Sequence, residues 1–154
     1  MEDAGDRLAV QPRVTGGPGL ATLVGANLPP SEWLTLGRRE LGLFDEATFH
    51  RPSTNYDGVD RAEAAHGTHT LALLPPLFEQ AVAIEGFSAV VLAGFERVRF
   101  PAPLPVGSRV RVRFEVAGVA EARGGYECRV AVTGEREGGE RPVCVCEMVL
   151  RLFE

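Results

Sequence analysis

An excess of basic charge, long apolar runs and cysteine are all scarce in this chain, and each scarcity removes a class of function. The net charge of −5 argues against nucleic acid or an anionic membrane as partner, because both are held largely by clustered basic side chains that neutralise phosphates. No apolar run approaches the length of a membrane span. The acidic N-terminus also lacks the basic start and apolar stretch of a secretory signal, so a cytoplasmic protein is expected. Three cysteines, an odd number, agree with that compartment; Cys144 and Cys146 stand two apart in a strand and are expected on one face as small core hydrophobes. The three histidines have no recognisable ligand spacing, so neither a metal nor a cofactor is expected.

What remains is an ordinary globular composition of 154 residues, enough for one core and too short for two typical domains. Residues 1–19 are expected to form a flexible segment, since breakers such as Gly16-Gly17-Pro18-Gly19 dominate there, and residues 20–154 a single domain. Trp33 to Leu36 reads as a short strand and Arg38 to Thr48 as a short helix carrying Leu41 and Phe44 on one face. From Phe49 to Ala64 the chain is polar and irregular, a loop of the length that commonly carries site residues. His66-Gly67 opens a helix toward Ala83, and Pro75-Pro76 within it predicts a kink or a split. Four strands follow, at about Ser88 to Phe100, Ser108 to Val119, Tyr126 to Gly134 and Pro142 to Leu152, linked by glycine turns. Helix first and then a meander of long strands is an α+β pattern.

The most informative stretch is Gly94 to Arg111, GFERVRFPAPLPVGSRVR. Pro101, Pro103 and Pro105 forbid helix and keep the link between two strands extended. Beyond the Gly107-Ser108 turn, Val110, Val112, Phe114 and Val116 alternate with Arg109, Arg111, Arg113 and Glu115, which predicts one apolar and one charged face. The three arginines read as a solvated face that discourages edge aggregation, with a phosphate contact as the alternative.

This stretch resembles the signature of the MaoC-like dehydratases, a hot dog fold family that includes (R)-specific enoyl-CoA hydratases and the nodulation protein N group. Ser31-Glu32-Trp33-Leu34, Phe44-Asp45-Glu46-Ala47-Thr48, Ala65-His66-Gly67 with Thr70 to Pro75, and Arg141 to Glu147 resemble further blocks of the family in the same order. The resemblance covers roughly residues 20 to 152 and implies a curved antiparallel sheet wrapped around a central helix.

It also implies a chemistry. Hydrating an α,β-unsaturated thioester takes a base for the water, an acid for the α-carbon and hydrogen-bond donors for the enolate oxygen. The family supplies an Asp and a His five residues apart and an N–H at the start of the central helix, where free amides and the helix dipole favour an anion. By resemblance Gly67 is that donor. Two registers are open for the acid/base pair. In one, the match through Phe44 to Thr48 is ungapped and puts His50 and Asn55 where the family has its Asp and His; Asn cannot exchange a proton near neutral pH. In the other, Asp45 and His50 are themselves the dyad, five apart. His50 enters the site in both. His66 is expected at the substrate, and His69 as a satisfied core histidine or a tunnel-lining one. Arg97 and Arg99, on one strand face, are expected to meet a CoA phosphate or to pair with a neighbouring carboxylate.

The resemblance therefore implies a protein that acts on or binds a CoA or acyl-carrier-protein thioester, with (R)-specific enoyl-CoA hydratase activity if the dyad is intact. The alternatives are a non-catalytic acyl-thioester module or inactive partner subunit, which Asn55 would favour, and a thioesterase. The last is weaker, because Thr-His-Thr-Leu after Gly67 contains no carboxylate. A homodimer, or an oligomer built from dimers, is expected, since a strand as long as Ser88 to Phe100 would leave an unpaired edge in a monomer.

Overall fold

The computed structural model describes residues 11–50 and 64–154. Its elements run β1 (Arg13–Thr15), α1 (Gly16–Ala21), β2 (Leu34–Thr35), α2 (Arg38–Thr48), α3 (Gly67–Ala81), β3 (Ala83–Glu85), β4 (Ala89–Arg99), β5 (Arg109–Ala122), β6 (Gly125–Arg136) and β7 (Cys144–Phe153). Five strands form one antiparallel sheet in the order β2-β5-β6-β7-β4. This is the α+β, hot dog arrangement, and α3 is the central helix.

Alternation along the strands builds the core. Val112, Phe114 and Val116 of β5, Cys128, Val130 and Val132 of β6, and Cys144, Cys146, Met148, Leu150 and Leu152 of β7 pack with Leu74, Leu77, Phe78 and Ala81 of α3. All three cysteines are buried free thiols within it, and burial pushes Cys128 up to about 11, so it behaves as a hydrophobe rather than a nucleophile. The outer face is laced with ion pairs: Arg111 and Arg113 both meet Glu135, and Arg129 bridges Glu96, Glu127 and Glu147. Gly125 at the β5–β6 turn has φ +151°, and a Cβ there would lie 1.9 Å from the Leu152 carbonyl oxygen, so no other residue fits. Among the described residues no helix is long and apolar enough to cross a membrane.

The fold departs from the sequence reading in two places. Part of the segment expected to be flexible, from Arg13 on, is regular: β1 pairs in parallel with β3, and Gly17 and Leu20 of α1 are buried. Breakers in α1 mark a short helix packed on the domain because the burial of Leu20 outweighs the local preference for coil. Nor do Pro75 and Pro76 split α3, which runs unbroken from Gly67 to Ala81. Ala72, whose carbonyl loses its partner at Pro76, lies on the exposed side, open to solvent.

Candidate active site

Three elements meet at the N-terminus of α3. The proline-rich link between β4 and β5 holds the helix start, because the Ala65 N–H donates to the Leu104 carbonyl at 2.8 Å and the Phe100 ring lies directly over Gly67. His66 is the N-cap, in extended conformation, and its side chain caps nothing. Gly67 is the first helical residue, so its N–H has no acceptor within the helix.

The other wall is α2. Its start is closed by the Gly37 N–H donating to Glu40 Oε2 at 3.1 Å, and its end by Phe49 in the left-handed region, φ 57°. That turn reverses the chain, so the His50 N–H donates to the Asp45 carbonyl at 3.0 Å and the His50 ring returns toward the helix. The Thr48 hydroxyl donates to the Phe44 carbonyl at 2.6 Å and, its one proton spent, accepts from His50 Nδ1 at 2.6 Å. This assigns the proton to Nδ1 and leaves Nε2 of His50 with its lone pair free.

Asp45 turns inward. Its Oδ1 lies 2.8 Å from His66 Nε2, with the two side chains 26% and 23% exposed. Oδ1 is buried and accepts no hydrogen bond of regular geometry among the described residues. The His66 and His50 rings stand 4.4 Å apart, centroid to centroid, tilted by 31°. Phe44 is the platform of the cluster, stacked parallel on His69 at 4.4 Å and lying 6.0 Å from His50 and 6.2 Å from His66. His69 is buried, and its Nδ1 has no hydrogen-bond partner among the described residues, so it is not the satisfied core histidine expected. Desolvation first, and then the charge of His66, hold it below the ordinary histidine range.

Asp45, His50, His66 and Gly67 are thus brought to one place, while Asn55 lies outside the described residues. Asp45 meets His66, and His50 in turn meets His66; the Asp45–His66 contact spans two blocks of the chain and no local pattern announces it. A bulge falls between Glu96 and Arg99, with Arg97 at φ 53°. Arg97 pairs with a carboxylate, Glu147, at 2.7 Å, and Arg99 donates to the neighbouring Val98 carbonyl.

A sheet wrapped around a helix, with a carboxylate and imidazoles gathered at the helix N-terminus, defines a hot dog protein with a cluster of titratable side chains at the start of its central helix. The model of the MaoC like domain matches residues 61–137. The chain is 39% identical over 140 residues to the 3-hydroxyacyl-thioester dehydratase Z of Mycobacterium tuberculosis, covering 86% of this chain and 92% of that one. It is 36% identical over 111 residues to nodulation protein N of Rhizobium meliloti, covering 62% and 64% respectively. The unliganded R-hydratase PhaJ1 of Pseudomonas aeruginosa superposes with a TM-score of 0.64 over 85% of this chain and 82% of that one, at 22% identity. The chain belongs to the MaoC-like family.

Proposed function

We propose that the chain interconverts 3-hydroxyacyl and trans-2-enoyl thioesters, working as a 3-hydroxyacyl-thioester dehydratase and, in reverse, as an (R)-specific enoyl-CoA hydratase. The observation that carries this reading is the convergence of Asp45 and His50 on the start of α3, where the Asp45 oxygen is buried without a hydrogen bond. The relative named a 3-hydroxyacyl-thioester dehydratase supports the same reading. Asp45 and His50 belong to the acid/base apparatus, and the Gly67 N–H receives the enolate oxygen. The carrier is CoA or acyl carrier protein, with Arg97 and Arg99 at the phosphates once Arg97 leaves Glu147. The working unit is a homodimer or an assembly of dimers.

The test is spectrophotometric hydration of short and medium enoyl-CoAs. Wild type should consume the enoyl absorbance, and His50→Ala or Asp45→Asn should each slow it by roughly a hundredfold to ten-thousandfold without unfolding the protein. A second reading, the non-catalytic module, is favoured by one observation, that Asp45 contacts His66 and not His50. Binding without turnover would establish it at the expense of the enzyme, and release of free thiol would point to a thioesterase.

A further inference from the structure

Two imidazoles beside one carboxylate are more than a single Asp–His pair requires, and they are held differently. Thr48 fixes His50 with its Nε2 lone pair free, the arrangement of a base. His66 instead rests with its Nε2 2.8 Å from Asp45 Oδ1, a ring held in place by a carboxylate. The two rings stand 4.4 Å apart, near enough to pass a proton from one to the other through water. His69 is buried, its pKa held down first by desolvation, and it stacks on Phe44. The His66 side chain, one residue before Gly67, caps no helix amide, so helix formation does not account for it.

We propose that His66, held by Asp45, is the acid that protonates the departing hydroxyl, while His50 is the base that takes the C2 proton. The assignment rests on the dehydratase reading above. In dehydration, Nε2 of His50 takes the proton from C2; the C–H electron pair forms the enolate, whose oxygen lies at the Gly67 N–H. The enolate electrons then form the C2–C3 double bond as the C3–O bond breaks. Its bonding pair leaves on oxygen, which accepts a ring proton from His66 and departs as water. Nε2 of His66 stays against Asp45, so the proton delivered is that of Nδ1. His50 now holds one proton more and His66 one fewer; transfer between the adjacent rings through water restores both, and no net proton is consumed.

The two roles separate in deuterium oxide with (R)-3-hydroxybutyryl-CoA as substrate. Deuterium entering C2 of recovered substrate reports the base step, and the enoyl absorbance reports elimination. For His66→Ala, elimination should fall by roughly a hundredfold or more while the ratio of exchange to elimination rises at least about tenfold; for His50→Ala both should fall together. His66→Asn should behave as His66→Ala does, and it covers a failure of the alanine variant to fold, because Asn is a good N-cap. If both rates fall in proportion in the His66 variants, or elimination stays within about threefold of wild type, the assignment is overturned while the dehydratase reading stands. If wild-type protein neither exchanges nor eliminates, that reading falls and the assignment falls with it.

Discussion

Gly67 offers a test in which two rules predict opposite signs. Its backbone is not left-handed, so by helix propensity alone Gly67→Ala at the start of α3 should stabilise, by at most about 1 kcal/mol. The structure predicts destabilisation instead. A Cβ at Gly67 would lie 2.6 Å from two atoms of the Phe100 ring and 2.7 Å from a third, closer than any real contact. What yields is the ring: Phe100 is 43% exposed, so it can swing outward, giving up the part of its surface that packs on the helix start. Losing about half the burial of a phenylalanine costs about 1–1.5 kcal/mol, and some residual overpacking brings the expected loss to about 1–2 kcal/mol. In a Phe100→Ala background nothing blocks the new methyl, so Gly67→Ala should be neutral or slightly stabilising. Urea unfolding of the four proteins at one pH closes the cycle, and a coupling of about 1–2 kcal/mol is expected. A coupling below about 0.5 kcal/mol would refute the reasoning, because the Phe100 ring would then not be the reason for glycine at this position. On the proposed dehydratase reading, any part of the clash that the helix start takes up would also displace the Gly67 N–H from the enolate oxygen, and a misplacement of about 1 Å costs about a hundredfold in turnover.

His69 makes stability depend on pH in a defined direction. Its folded value is held below the ordinary 6.5 by burial and by the charge of His66, so below about 6.5 the unfolded chain binds the proton more readily. Stability is therefore complete above that pH and declines as pH falls toward the lower folded value. His69→Leu should flatten this part of a urea-midpoint profile; an unchanged slope would mean that other groups carry it. The far edge of β4 makes the second prediction. Val90, Val91 and Leu92 are all exposed in the regular part of the strand before its first bulge, an apolar edge of the kind a second copy covers. Val91→Lys should therefore lower the mass measured by light scattering at micromolar concentration from dimer to monomer. A monomeric wild type would count against the proposed assembly.

How much of this was legible in the chain follows from the range of each interaction. Strands β5 to β7 and helix α2 were readable because their signals are local: alternation over ten or more residues, glycine turns between them, and an apolar pair three apart. Pro75 and Pro76 misled because a propensity states what a backbone prefers when alone, and α3 is held by the burial of Leu74, Leu77 and Phe78 on either side of the prolines. The bulge at Arg97 was equally invisible, because strand parity is a counting argument that assumes an unbroken ladder. The acid/base pair was the hardest part to read, since a spacing of five between Asp45 and His50 counts along the chain while chemistry counts through space. The left-handed turn at Phe49 brings His50 back, and the proline-rich link carries His66 to meet both. Only the Asp45–His66 contact, 21 residues distant in sequence and 2.8 Å in space, explains why an inward-facing carboxylate sits here without a hydrogen bond of its own.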